Sequence, residues 1–170
     1  MLRHNEFAYF AYGSNMSVER LTKRTPSARV LSSGLLPGYR LAFDKISKDG
    51  SGKCDCERTG EDGDKVYGVV FAVADIERSA LDRAEGAGSG YEPRSVEVDT
   101  EGGVILAMTY VATSKREGLS PYHWYKRHVL VGAKHAGLPE EYIATIEAVV
   151  SIDDLNEARV ERESRIHRAG

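Results

Sequence analysis

The sequence predicts an α+β domain, a small mixed β-barrel with helices packed outside, and three observations carry that expectation. Strand-like segments occupy most of the chain up to about residue 112, and helical spacing takes over after Ser120-Pro121. The 170 residues suit one domain spanning 1–170, with no internal repeat or linker and a charged C-terminal tail from about residue 151. A hydrophobic fraction of 41% is enough to fill a core without help from a metal or disulfides.

Taken in order, Phe7-Ala8-Tyr9-Phe10-Ala11-Tyr12 is an aromatic run ended by Gly13, the pattern of a buried strand entering a turn. Asn15 and Ser17 both suit the N-cap of the next helix, Glu19 its first turn and Arg20 to Arg24 its last, and Thr25-Pro26 stops it. ARVLSSGLL and YRLAFDKI read as strands on either side of a Pro37-Gly38 turn. Ser47 to Asp64 is a polar, glycine-containing excursion, and Lys65 to Val73 is the clearest strand of all.

Asp75 is the expected cap of a helix that runs to Glu85, where Gly86 ends it and opens a flexible glycine-rich loop to Gly90. Two strands follow, about Tyr91 to Val98 and Val104 to Ala112, joined at Glu101-Gly102-Gly103. Tyr122, Tyr125, Val129 and Gly132 recur at helical spacing, and Gly137-Leu138-Pro139 separates that helix from one over about Glu140 to Val149. The stretch from Asp153 to Arg168 is almost all charge and reads as a solvated helix or frayed end.

Charge and motifs exclude several function classes. Lys and Arg total 23 against 26 Asp and Glu, a net charge of −3, so no strong field draws the chain to nucleic acid or to an anionic membrane. No stretch approaches the roughly 18 apolar residues of a membrane span, and the start of the chain lacks the apolar core of a signal peptide, so the expected location is cytoplasmic. Cys54 and Cys56 are spaced C-x-C, which suits neither a relaxed disulfide nor a paired zinc motif, and buried or strand-lining thiols are the simpler expectation. His123, His128 and His135 lie five and seven residues apart rather than on one helical turn, and no metal is expected. Phosphate-loop, H-E-x-x-H and G-x-S-x-G signatures are missing, and the glycines at 86, 88 and 90 follow a helix rather than a strand, unlike a dinucleotide fingerprint.

Three places remain where chemistry can reside. The corner Tyr12-Gly13-Ser14-Asn15 passes from strand to helix, so its free backbone N–H groups and the helix dipole can form a small anion site; a simple turn and cap explains the same residues. Glu85 stands at a helix C-terminus, where the dipole disfavours an anion, beside a loop able to admit a ligand; this suits general acid/base work, and a solvated surface glutamate is the plain alternative. Tyr91, Tyr110 and Tyr125 stand at element ends from which hydroxyls can converge on a pocket, although each alone is ordinary core.

FAYGSNM at Phe10 to Met16, VYGVVF at Val66 to Phe71, LDRAEG at Leu81 to Gly86 and SPYHWYKRHVLVGAKHAGLPEEY at Ser120 to Tyr142 together resemble the gamma-glutamylcyclotransferase family, in that order and over most of the chain. The resemblance implies a small mixed barrel with outer helices and an enzyme that releases an amine from a small γ-glutamyl compound as the glutamyl part closes into 5-oxoproline, with no cofactor or metal. By matched position it implies that Tyr12, Gly13, Ser14 and Asn15 hold the γ-glutamyl group, that Glu85 is the catalytic acid/base, and that Tyr91, Tyr110 and Tyr125 line the pocket. The sequence does not choose among an amino acid, a lysine-like side chain and an aminoglycoside as the leaving amine. A non-catalytic member that binds a metabolite or a protein is the alternative, against which the retention of Glu85 with the whole corner weighs. Apolar residues of the Pro121 to Val131 segment suit a homodimer contact as well as the core.

Overall fold

A computed structural model describes residues 1–168. Five strands close into a barrel: β1 (Glu6–Ala11), β5 (Lys65–Ala74), β2 (Arg29–Pro37), β6 (Tyr91–Thr100) and β7 (Gly103–Ala112), in that order around it. All neighbours are antiparallel except β7 and β1, which meet in parallel at Tyr9 and Met108. The barrel is therefore mixed, as expected. β5 lies between two partners and is buried at Val66 and from Gly68 to Val73, which accounts for its near-continuous apolar sequence.

Pro37-Gly38 does turn the chain, with Gly38 at φ 74°, but the strands on either side of it do not pair. β2 is engaged by β5 and β6, so β3 (Tyr39–Ile46) pairs instead with β4 (Gly52–Arg58) in a separate two-stranded sheet. β4 lies inside the segment whose polarity reads as an excursion. Its Cys54, Asp55 and Cys56 are all buried, and Asp55 is stabilised there by the Ala112 N–H at 2.8 Å and the Lys115 ammonium at 2.8 Å. Both thiols are free and strand-lining, as the sequence suggests.

Among the described residues five α-helices pack outside: α1 (Val18–Thr22), α2 (Arg78–Glu85), α3 (His123–His135), α4 (Glu140–Glu147) and α5 (Glu157–Ser164). Ser17 caps α1 by accepting from the Arg20 N–H at 3.2 Å, whereas Asn15 caps nothing because its side chain turns inward. Asp75 likewise makes no cap bond; it begins a 3-10 turn, Asp75–Glu77, that leads into α2. Gly86 ends α2 in the left-handed conformation at φ 69°, and the following loop is held by turns, Ser89 N–H to Gly86 C=O and Gly88 N–H to Tyr91 C=O, each at 2.8 Å.

The charged C-terminal segment is neither frayed nor wholly solvated. Asp154, Glu163 and Ile166 are buried, Asp154 accepts from the Trp124 indole at 2.9 Å, and Arg20 pairs with Glu163. Glu163 docks there on the Arg20 charge of α1, whereas Asp154 is neutralised within its own segment by Arg159. Trp124, Tyr125 and Val129 of the segment that also suits a dimer contact are buried within this chain. Among the described residues no helix is long and apolar enough to cross a membrane.

Candidate active site

β1 delivers the chain to the top of the barrel, where Tyr12, Gly13, Ser14 and Asn15 border a small pocket. The Met16 N–H bonds the Gly13 carbonyl at 3.0 Å and closes a 3-10 turn over Ser14–Met16. Gly13 is required by close approach, because a Cβ there would stand 3.0 Å from the Cys54 Cβ and 3.4 Å from the Tyr125 hydroxyl. The backbone N–H groups of Ser14 and Asn15 have no acceptor among the described residues, which leaves two donors at the pocket edge.

Glu85 enters from the end of α2 and is the only carboxylate lining the pocket among the described residues. Its Oε1 accepts from Asn15 Nδ2 at 2.6 Å and from Arg24 Nη1 at 2.9 Å. Arg24 Nη1 also donates to Asn15 Oδ1 at 2.9 Å, so three side chains close a triangle. The guanidinium supplies the positive charge that a helix C-terminus withholds from an anion. Glu85 Oε2 has no partner among the described residues, and the carboxylate is mostly buried.

All the tyrosines proposed from the sequence converge here. Tyr91, Tyr110 and Tyr125 line the same pocket as Tyr12, together with Tyr9 and Cys54. Their hydroxyls have protein partners: Tyr12 donates to the Tyr110 carbonyl, Tyr91 to the Cys54 carbonyl and Tyr110 to the Asp82 carboxylate, while Tyr125 accepts from the Cys54 N–H at 3.0 Å. Tyr110 thus contributes its ring to the pocket while its hydroxyl is bound elsewhere. Burial pushes the Tyr9, Tyr12, Tyr91, Tyr110 and Tyr125 phenols upward, so all are neutral near pH 7. Burial also pushes the Cys54 thiol up to about 12, which rules it out as a ready nucleophile.

Tyr9, Cys54 and Arg24 are absent from the sequence-based site. A tyrosine rather than a phenylalanine inside a buried strand was a usable signal for Tyr9, since a buried hydroxyl needs a partner, and it finds one in Asn15 Nδ2 at 3.0 Å. Arg24 carries no such signal, because it meets Glu85 across 61 residues.

A carboxylate held at one oxygen, unpartnered at the other among the described residues and ringed by neutral phenols has the arrangement needed to exchange a proton with a ligand. A family model described as the AIG2-like family matches residues 65–146. The gamma-glutamylcyclotransferase of Bos taurus is 35% identical over 148 residues, covering 84% of this chain and 78% of that protein. Its Homo sapiens counterpart is 36% identical over 152 residues with the same coverage. A solved structure titled gamma-glutamyl cyclotransferase superposes with a TM-score of 0.86 at 32% identity, covering 96% of this chain and 99% of its own. The chain belongs to the gamma-glutamylcyclotransferase family.

Proposed function

We propose that this protein is a cyclotransferase that converts the γ-glutamyl group of a γ-glutamyl amino acid or amine to 5-oxoproline and frees the amine, with Glu85 as general acid/base. The observation that carries the proposal is the hold on Glu85: both of its donors bind Oε1, which leaves Oε2 available for proton transfer. Oε2 takes a proton from the substrate α-ammonium, and the freed nitrogen attacks the substrate's own γ-carbonyl carbon. A carbon–nitrogen bond forms, and the carbonyl oxygen carries negative charge. The same carboxyl then returns the proton to the departing nitrogen as its bond to that carbon breaks and the C=O re-forms, and the regenerated carboxylate takes the ring nitrogen's second proton and passes it to the freed amine, which leaves as an ammonium. One residue serves both steps because the two nitrogens flank a single carbon.

The free Ser14 and Asn15 N–H groups suit either the substrate carboxylate or the developing oxyanion; a donor of the second kind contributes about 3 kcal/mol in enzymes that use one. Ring closure is intramolecular, so the crowded aromatic wall contributes by folding the substrate into its reactive shape. Two free buried thiols suit a reducing compartment, and the cytosol is the proposed place of action.

The test is 5-oxoproline release from a panel of γ-glutamyl amino acids and amines, run beside Glu85→Gln. Loss of a general acid/base lowers turnover by about 10²- to 10⁴-fold with the fold and ligand binding retained. A folded Glu85→Gln protein that turns over as fast as the wild type sinks the assignment.

A further inference from the structure

The pocket loop is supported from below by a path of polar contacts that begins far away in the chain. Arg20 of α1 is only 9% exposed, and its guanidinium is used on two edges. Nε donates to Ser14 Oγ at 3.2 Å, and Nη1 donates to Glu163 Oε2 of α5 at 2.5 Å. Glu163, also 9% exposed, meets His128 Nε2 of α3 at 3.0 Å through the same oxygen. α3 touches the loop as well: a Cβ on Gly132 would stand 2.4 Å from the Met16 carbonyl carbon and 2.6 Å from the Ser17 nitrogen. Ser14 lines the pocket, so a carboxylate 143 residues beyond Arg20 lies two contacts from the pocket wall.

A planar guanidinium satisfied on two edges has one orientation, and a buried one cannot simply turn to solvent when its counter-ion is lost. Exposed ion pairs contribute little and constrain little, but here both partners are buried, and Glu163, which also meets His128 and Arg162, is the carboxylate that Arg20 pairs with among the described residues. Arg20 without the carboxylate must seek another acceptor, and the bond to Ser14 is the contact it gives up.

We propose that Glu163 is a positioning residue for the pocket: it orients Arg20 so that Nε fixes Ser14, and through Ser14 the Tyr12–Asn15 loop, in the arrangement that receives substrate. The kinetic consequence rests on the cyclotransferase reading above; the path of contacts does not.

The test is Glu163→Gln, which keeps shape and removes charge, read by steady-state kinetics and by amide hydrogen exchange. The expected result is a KM raised about three- to tenfold with kcat held within about twofold, as for a loss of binding order rather than of chemistry. Exchange at Met16 and Ser17, whose N–H groups bond the Gly13 and Ser14 carbonyls, quickens while that of β5 stays as in the wild type. In a Ser14→Ala background Glu163→Gln raises KM no further, because the path is already cut. Arg20→Lys, which keeps the ion pair and lacks Nε, gives the same rise and serves if Glu163→Gln fails to fold. Unchanged KM and unchanged loop exchange in folded protein overturn the proposal, and so does a Glu163→Gln effect of full size on top of Ser14→Ala. Should the wild type release no 5-oxoproline, the cyclotransferase reading falls, and loop exchange decides the positioning role alone.

Discussion

Asn15 illustrates how much a single side chain can be asked to do. Its amide nitrogen serves Tyr9 and Glu85, and its oxygen receives Arg24, so both ends of one amide organise the Glu85 carboxylate. Arg24 is the less obvious member. It binds the same Glu85 oxygen as Asn15, and without it Oε1 retains a single donor and the carboxylate loses its fixed direction. Arg24→Met is expected to lower kcat by about tenfold, equivalent to about 1.4 kcal/mol, with the protein still folded. In a Glu85→Gln background the same substitution should change little, since a residue that acts through Glu85 has nothing left to orient. Full additivity of the two losses in kcat would show that Arg24 acts elsewhere.

At the scale of elements, the docking of α5 depends on protonation. Burial pushes the His128 imidazole down to about 4 from its ordinary 6.5. Burial also opposes the charge on Glu163, but hydrogen bonding with His128 and the Arg20 guanidinium outweigh it and bring the carboxyl down to about 2. For His128 the unfolded chain binds a proton between pH 6.5 and 4 that the folded protein refuses, so stability falls as pH falls through that window. Glu163 adds a second loss between its ordinary 4.5 and about 2, where the carboxylate must be neutralised. His167, whose Nε2 lies 2.7 Å from His128 Nδ1, is lowered by burial as well and adds to the first window. Thermal unfolding followed from pH 7 to 4 should show Tm dropping in the wild type and dropping less in His128→Gln. Equal slopes for the two proteins would remove His128 from the account.

For the molecule as a whole, the barrel closes through very little backbone pairing. β1 and β7 meet at one bridge, reinforced by the Thr109 hydroxyl on the Phe10 carbonyl at 2.8 Å and by the Tyr12 hydroxyl on the Tyr110 carbonyl at 2.5 Å. β5, by contrast, is laddered on both edges by β1 and β2. Native-state hydrogen exchange should therefore find its slowest amides in β5 and markedly faster ones along β7 next to the closure. The seam lies beside the pocket, so Tyr12 takes part both in closing the barrel and in forming the site.

Much of this was legible beforehand, and the elements show why. β5, β6, β7 and the Gly86 stop of α2 rest on local signals, namely apolar runs, a two-residue alternation and a left-handed glycine, which operate within a few residues. The pocket corner and Glu85 were legible because they occur in short, distinctive runs of sequence. β4 was not, because its buried Asp55 reads as surface until Lys115 and the Ala112 N–H are placed beside it. The docked tail was missed for the same reason: charge looks solvated when its partner is 143 residues away.

By itself the sequence determined the class of fold and the family, and it singled out the corner and Glu85 that line the pocket, since each depends on neighbours along the chain. Only the tertiary structure decided that β3 turns away from β2 to pair with β4, that Arg24 and Asn15 share one oxygen of Glu85, and that α5 reaches the pocket loop through Arg20. The last two are pairings of polar side chains, across 61 residues for Arg24 with Glu85 and 143 for Arg20 with Glu163, and a polar residue does not disclose its partner until folding excludes the water that would otherwise satisfy it.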